Sequence, residues 1–207
     1  ENGALLLEPQ RTNLITYGNY FDSWLKHNCT INTNAITSPD GLQNASKIVE
    51  NTSSGYHAVY LSNVFTADGT YKTGSVFVKA GERTFCAVST RGAFGSRDKT
   101  LIFNLTTGEW DYNESGQNTG LEAEQHANGW WRIIFNTNTT SAAYDGFIVG
   151  AAINGDSYTG AEYTGDGSSG IYIYGAQAEE GSYPTSYIPT YGSAVTRSSD
   201  NHQLNTT

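Results

Sequence analysis

A chain of 207 residues can bury the core of one domain, and all-β domains of this length are commonly single. The net charge of −9 disfavours a nucleic-acid partner, whose phosphates require Lys and Arg, and no segment is long and apolar enough to span a membrane. Abundant Gly (23) and Tyr (14), no Met and only 15% charged side chains favour strands and turns over helices.

Strand-like runs separated by turn signals recur along the whole chain, which is the pattern of a β-sandwich or barrel. In chain order these runs cover residues 5–7, 13–16, 30–36, 46–50, 57–65, 71–79, 84–89, 101–105, 109–112, 130–136, 147–153 and 170–177. Two short segments, 20–26 and 121–126, favour single helical turns. Because no internal repeat or linker divides the sequence, residues 1–207 are expected to form one all-β domain.

Charge is distributed unevenly along the chain. Residues 1–99 carry nine basic and eight acidic side chains, whereas residues 100–196 carry one basic side chain against eleven acidic ones. Five basic residues lie close together in the sequence: Lys79, Arg83, Arg91, Arg97 and Lys99. Such a cluster on an acidic protein indicates a site for an anionic ligand, such as a sulfated or uronic-acid polysaccharide, and the alternative is a solvated loop.

Cys29 and Cys86 lack the spacing of a metal-ligand motif. In an exported protein these two cysteines could form a disulfide. The sequence leaves this pairing open.

Trp110 and Tyr112 are the first candidates for glycan binding. Two residues apart in a strand, they would lie on the same face of a sheet. They stand in a polar stretch that offers no neighbouring core. Because sugars present apolar C–H faces to flat rings, this pair predicts a glycan platform, and the alternative is that one ring anchors a hairpin.

Catalytic motifs are not indicated. Glu122 and Glu124 would share a face only in a strand, and a glycosidase needs two facing carboxylates about 5 Å or about 6.5–9.5 Å apart. His57, His126 and Tyr144 are residue types found in polysaccharide lyases, but nothing in the sequence groups them. The sequence holds no nucleophile elbow, phosphate loop or metalloprotease motif, so the chain is expected not to be an enzyme.

The two ends of the chain carry motifs that belong together. GALLLEPQRTN covers residues 3–13, and GIYIYGAQAEEG at 170–181 is followed by SYIPT at 186–190 and AVTR at 194–197. In the middle, NGWWR covers residues 128–132. These motifs resemble the terminal signatures and one strand of β-jelly-roll domains found in marine bacterial polysaccharide-degrading enzymes and in bacteriophage fibre proteins. The resemblance covers nearly the whole chain.

This resemblance implies a two-sheet antiparallel β-sandwich with jelly-roll topology. It implies a non-catalytic carbohydrate-binding module, monomeric and appended to a secreted polysaccharide-degrading enzyme, whose ligand is a marine polysaccharide or oligosaccharide. The end motifs fit a second family role equally well. In that alternative the chain is a structural or receptor-binding domain of a phage fibre or head spike, trimeric and part of a virion.

Individual aromatic positions also follow from the resemblance. Trp24 and Trp130 match family positions that pack the core. Trp131 lies on the opposite face of its strand and is a candidate ligand contact, and the alternative is that Ile133 and Phe135 make this face buried as well. Tyr183, Tyr187 and Tyr191 are expected to fix the C-terminal extension in place. The predicted ligand-binding residues are Trp110, Tyr112, Trp131, Lys79, Arg91 and Arg97.

A structural Ca²⁺ is the cofactor that the resemblance implies. Jelly-roll binding modules often hold it between the opening segment and the last strand, and calcium prefers six to eight oxygen ligands. Asn19 and Asp22 lie in the matching opening of this chain. The family's last strand usually supplies an aspartate, and Gln177 occupies that place. The predicted metal ligands are therefore Asn19, Asp22 and Gln177.

Overall fold

The computed structural model describes residues 7–90, 100–112, 118–138, 140, 145–156 and 159–200, with the backbone alone at 111, 112, 118 and 119. Two antiparallel sheets of six strands each account for most of this part of the chain. The described residues contain no α-helix, and none of their helical segments has the length and apolar character needed to cross a membrane. The expected all-β, two-sheet antiparallel sandwich is confirmed.

Short strands joined by turns make up the described chain. In chain order they are β1 (Arg11–Asn13), β2 (Leu25–His27), β3 (Cys29–Ile36), β4 (Ala45–Glu50), β5 (Ser54–Gly55), β6 (His57–Leu61), β7 (Lys72–Ala80), β8 (Phe85–Ser89), β9 (Thr100–Asn104), β10 (Glu109–Tyr112), β11 (Asn118–His126), β12 (Trp130–Thr137), β13 (Phe147–Ala152), β14 (Tyr163–Thr164), β15 (Gly170–Glu180) and β16 (Val195–Arg197). Two 3₁₀ turns also occur, at Phe21–Ser23 and Ala127–Gly129.

The strands form a sandwich of two large sheets. Sheet I has the order β10-β9-β8-β13-β6-β2, and sheet II has the order β11-β12-β7-β15-β4-β3. From β4 to β8 each successive strand of the sandwich crosses to the other sheet, and β12, β13 and β15 alternate in the same way. This repeated crossing is the jelly-roll connectivity, and it packs sequence neighbours on opposite sides of one core.

Apolar side chains that alternate along the strands point between the two sheets and form the core. Its buried side chains include Ile48, Val59, Val76, Val78, Val88, Phe103, Ile133, Phe135, Val149, Ile171 and Ile173. Trp24 is also fully buried against this core, as predicted.

The outer face of sheet II is buried as well. Phe77, Trp130 and Tyr174 pack together there, which confirms the expected burial of Trp130. A segment that we call the C-terminal strap, residues 181–192, lies against this face, and the Tyr187 ring contacts both Phe77 and Tyr174. Burial on both faces explains why seven consecutive residues of β7 are buried.

The two ends of the chain lie side by side. β1 pairs with β16, and Arg197 forms an ion pair with Glu8 at 2.5 Å. The fully buried Asn13 side chain binds the last large strand and the strap together, because its amide donates to the carbonyls of Ala176 and Ile188. The end motifs therefore form one structural unit although they are separated by more than 150 residues.

The predicted helical turn at 121–126 is wrong, because this segment belongs to β11 and pairs with β12. Leu121 and Ala123 pack against the core, while Glu122 and Glu124 are exposed. Pairing with β12 satisfies the backbone and covers the two apolar side chains, which outweighs the local preference for a turn. Residues 20–26 form a single 3₁₀ turn followed by β2.

Cys29 and Cys86 are both free and buried in the core. The Cys29 thiol donates to the carbonyl oxygen of Ala58 at 3.2 Å. Burial raises the pKa of Cys29 to about 11, and burial likewise raises the pKa of Cys86. Both side chains therefore act as small apolar groups and not as reactive thiols.

Candidate functional site

A cleft of about 470 Å³ opens where three distant parts of the chain meet. We call it the tyrosine cleft. Its walls come from the segment between β1 and β2, from the β3–β4 hairpin and from the strap: Asn19, Tyr20, Asp22, Thr33, Asn34, Asn44, Ser46 and Tyr191. The volume lies within the range of about 300–1,000 Å³ that is usual for small-molecule sites.

Buried side chains fix the segment between β1 and β2 to the core. Phe21 and Trp24 are buried and in contact, with ring centroids 5.0 Å apart, and the Trp24 indole donates to the Tyr17 carbonyl at 3.0 Å. Ser23 closes the 3₁₀ turn by donating to the Tyr20 carbonyl through its N–H and its hydroxyl. The turn directs Phe21 inward, while Tyr20 remains half exposed at the cleft.

The residues on both sides of Tyr191 form hydrogen bonds with the segment between β1 and β2. The Thr190 hydroxyl accepts a hydrogen bond from the Gly18 N–H at 2.8 Å, and the Gly192 N–H donates to the Thr16 carbonyl at 2.7 Å. Gly192 has a φ of 108°, a left-handed backbone that favours glycine. The backbone of Tyr191 is thus fixed although its side chain is 70% exposed.

Three exposed tyrosine rings form a continuous surface beside the cleft. Tyr17, Tyr20 and Tyr191 are 41%, 50% and 70% exposed. Tyr20 makes edge-to-face contacts with both of the others, at centroid distances of 6.2 Å to Tyr17 and 6.0 Å to Tyr191. Aromatic rings on a fixed backbone bind ligands at a low cost in conformational entropy, because a tyrosine side chain has few rotatable bonds.

Asp40 organises the hairpin wall of the cleft. Its carboxylate accepts four hydrogen bonds, from Ser38 Oγ at 2.5 Å, the Leu42 N–H at 2.8 Å, Asn44 Nδ2 at 3.0 Å and the Tyr174 hydroxyl at 2.7 Å. Burial opposes ionisation of this group, but the four hydrogen bonds outweigh it and lower the pKa of Asp40 to about 2. Asp40 is therefore a fixed negative charge that is hydrogen-bonded to the lining residue Asn44.

The two amide atoms of Asn44 differ in their surroundings. Because the Asp40 carboxylate can only accept, the Asn44 nitrogen faces it and the Asn44 oxygen faces away. That oxygen is buried and has no hydrogen-bond partner among the residues that the structure describes. Asn44 therefore acts in the wall of the cleft as a donor to Asp40, while its oxygen lies beneath the surface.

Trp110 lies elsewhere, on the edge strand β10. It is half-buried, packs against the core and contacts Phe103 at a ring-centroid distance of 5.1 Å. The pairing of β10 with β9 shifts register between Trp110 and Tyr112, which interrupts the two-residue alternation on which the predicted shared face depended. This arrangement favours the alternative role for Trp110, an anchor of the β9–β10 hairpin.

Trp131 packs against the same hairpin. Its ring contacts Phe103 at 5.6 Å, and its indole nitrogen donates to the Leu105 carbonyl at 3.2 Å. Gly108, which turns the hairpin with a φ of 79°, lies so close that a Cβ there would come within 2.3 Å of the Trp131 ring. Trp131 therefore packs against the turn between β9 and β10.

The predicted basic contacts do not lie at the tyrosine cleft in the described residues. Lys79 is half-buried on the outer face of sheet II, paired across the sheet with Trp130 and Tyr172. Arg91 and Arg97 lie outside the described residues, as does the side chain of Tyr112. Binding by these residues stays a prediction.

The arrangement of the predicted calcium ligands does not fit a shared metal site. Asn19 and Asp22 line the cleft, but the oxygen of Asn19 accepts the Gly175 N–H at 2.8 Å. The fully buried Gln177 does not line it, and its oxygen accepts the Ile188 N–H at 2.6 Å. In the described part of the chain, no group of three or more His, Cys, Asp or Glu side chains could hold a metal ion. Calcium binding stays a prediction.

Sequence reasoning did not single out the main residues of this cleft. Tyr20, Asn34 and Asn44 lie in ordinary polar segments, and Tyr191 was expected to hold the C-terminal extension. Tyr187 does hold it, whereas Tyr191 is exposed. The available signal was that Tyr191 has Thr, Gly and Ser neighbours and no apolar partner at strand spacing.

No known protein-family model matches the chain, and no curated protein sequence matches it significantly.

Proposed function

We propose that this chain is a non-catalytic carbohydrate-binding module that binds a polysaccharide or oligosaccharide at the tyrosine cleft. The observation that carries the proposal is the set of exposed rings of Tyr17, Tyr20 and Tyr191 on a backbone fixed by hydrogen bonds. Exposed aromatic rings on a rigid support suit the flat apolar faces of sugars. Because these rings are already in place, little affinity would be lost in ordering them.

The polar wall of the cleft supports the same conclusion. Asn19 and Asn34 bring amide groups to the cavity, and amides can form hydrogen bonds with sugar hydroxyls. A cleft that combines flat rings with a few convergent polar groups provides both the apolar contact and the orientation that a sugar needs. We expect affinities in the micromolar to millimolar range, about −8 to −4 kcal/mol.

The acid–base groups of the cleft support a role in binding and not in catalysis. Asp22 is the one carboxylate among the described residues that line it, and it forms an ion pair with Lys26 at 3.4 Å. Hydrolysis of a glycosidic bond ordinarily requires two facing carboxylates. Glu122 and Glu124, which do share a strand, are exposed on β11.

Attachment to a secreted polysaccharide-degrading enzyme is part of the proposal. It is supported by the resemblance of the end motifs. The pairing of β1 with β16 also supports it, because it brings both ends of the domain to one place, where a linker can leave the fold undisturbed.

The test is affinity gel electrophoresis against agarose, carrageenan, alginate, fucoidan, laminarin and ulvan, with and without added Ca²⁺. The wild-type protein should be retarded by at least one polymer. Tyr191→Ala should weaken binding to that polymer by about tenfold, equivalent to about 1.4 kcal/mol, because the most exposed of the three rings is lost. Its melting temperature should remain that of the wild type.

Tyr183→Ala is the matched control. Tyr183 is 51% exposed on the same strap but lies under Arg11, away from the cleft residues. Its removal should leave retardation unchanged. Equal retardation of wild type and Tyr191→Ala would reject this site, and no retardation by any polymer would reject the proposed function.

A further inference from the structure

The charged side chain among the described residues that line the tyrosine cleft is acidic. Asp22 lines the cleft with a side chain that is 70% exposed. Asp40 does not line the cleft, but it accepts a hydrogen bond of 3.0 Å from the lining residue Asn44. One carboxylate therefore lines the cleft, and a second lies one hydrogen bond away from its wall.

The positive charge next to Asp22 comes from Lys26, which does not line the cleft. None of the described residues that line it is Lys or Arg. The four donors to Asp40 are a hydroxyl, a backbone N–H, an amide and a phenol, so all of them are neutral. The cation nearest in sequence, Lys26, is already engaged by Asp22 and by the carbonyls of Asp22 and Trp24.

The hydrogen-bonding groups of the cleft also favour an uncharged ligand. The carboxylate of Asp22, which is exposed in the cleft, can only accept hydrogen bonds. A sugar hydroxyl can donate to it. A sulfate ester or an ionised carboxylate has no hydrogen to donate and would place a second negative charge beside the first.

We infer that the tyrosine cleft selects an uncharged, hydroxyl-rich glycan and discriminates against its sulfated or carboxylated counterpart. This inference rests on the proposed function. The sequence, in contrast, predicted a preference for an anionic polymer, and that prediction depended on Lys79, Arg91 and Arg97. Lys79 is not among the residues that line the cleft, and the two arginines lie outside the described residues.

The experiment compares polymers that share a backbone and differ in charge: desulfated carrageenan with carrageenan, dextran with dextran sulfate, and hydroxyethylcellulose with carboxymethylcellulose. Binding is measured at low and at high ionic strength, because salt screens an electrostatic preference. In any pair that binds, the neutral member should bind at least tenfold more tightly at low salt, and the difference should shrink at high salt.

Asp22→Asn tests the physical cause. This change should raise the relative affinity for the charged member of the pair by several-fold at low salt. Glu122→Gln is the matched control, since it removes one exposed negative charge from β11, outside the cleft. It should leave the preference unchanged.

The possible outcomes distinguish failure of this inference from failure of the proposed function. Equal or tighter binding of the charged member would overturn the inference and leave the proposed function standing. A preference that does not respond to Asp22→Asn or to salt would also overturn it. Failure of both members of every pair to bind would reject the proposed function itself.

Discussion

Glu50 on β4 is a buried carboxylate whose charge is fully matched by its neighbours. Its oxygens accept hydrogen bonds from Arg83, from the Tyr163 hydroxyl at 2.7 Å and from the Asp166 N–H at 2.8 Å. Burial raises the pKa of this group, but the hydrogen bonds, with Arg83 first, outweigh burial and lower the pKa of Glu50. One side chain thus joins β4, the turn before β8 and the loop that precedes β15.

Glu50→Gln should lower the free energy of unfolding by about 2–3 kcal/mol, because Arg83 and Tyr163 each lose a charged partner. Urea denaturation at neutral pH measures this loss. Glu82→Gln is the control. Its carboxylate pairs with Lys47 at 2.7 Å but is 55% exposed, so its removal should cost less than about 1 kcal/mol. Similar losses in the two variants would contradict the role of burial.

The Glu50 contribution should depend on pH in a defined direction. Because its pKa is lowered by folding, the charged form contributes stability above the unfolded value of about 4.3. That contribution is lost as the pH falls through the folded pKa. The difference between wild type and Glu50→Gln should therefore shrink below about pH 4. A difference that stays constant into strong acid would mean that packing, and not charge, causes it.

At the scale of elements, the strap is held to sheet II by a buried polar network. Thr185 donates its hydroxyl to Glu179 at 2.5 Å, and its carbonyl accepts from Arg132 at 2.6 Å and from Gln177 at 3.2 Å. Glu179, Gln177 and Thr185 are fully or almost fully buried. The strap is therefore part of the folded core and not a flexible tail, and this is what allows it to present Tyr191 at a fixed position.

Thr185→Val removes one donor from the buried Glu179 carboxylate while conserving shape. We expect a loss of about 1–2 kcal/mol, or about 2–8 °C in Tm for a chain of this length. Ser186→Ala is the neighbouring control, because the Ser186 hydroxyl binds Glu8 at an exposed position. Thermal melts that show equal shifts for the two variants would contradict the buried network.

At the scale of the whole molecule, the edge strands of sheets I and II in the described residues have features that hinder pairing with another chain. In sheet II the edge strands β3 and β11 both shift register against their partners, and in sheet I the edge strand β10 does the same. The remaining edge, β2, is only three residues long. Bulges and short edge strands hinder pairing between copies of a β-protein.

The chain should therefore be monomeric in solution. Size-exclusion chromatography with light scattering should give the mass of one chain across a wide range of concentrations. A trimer would favour the alternative role in a phage fibre or head spike.

The sequence by itself determined the all-β class and most of the large strands. Alternating or apolar runs bounded by Gly and Asn report local strand preference directly, and residues 30–36, 71–79 and 170–177 lie within observed strands or overlap them closely. The burial of Trp24 and Trp130 was also predicted, from family-matched positions. The segment 121–126 was misassigned because its strand state depends on pairing with β12.

Only the tertiary structure decided where a ligand could bind. Tyr20, Asn44 and Tyr191 come from three parts of the chain and meet because the strap returns to the opening segment through Gly18 and Thr190. Conversely, Trp110 and Trp131 appear suitable in sequence but pack against Phe103. Local pattern reports which side chains alternate, whereas exposure depends on long-range packing, which no short window of sequence contains.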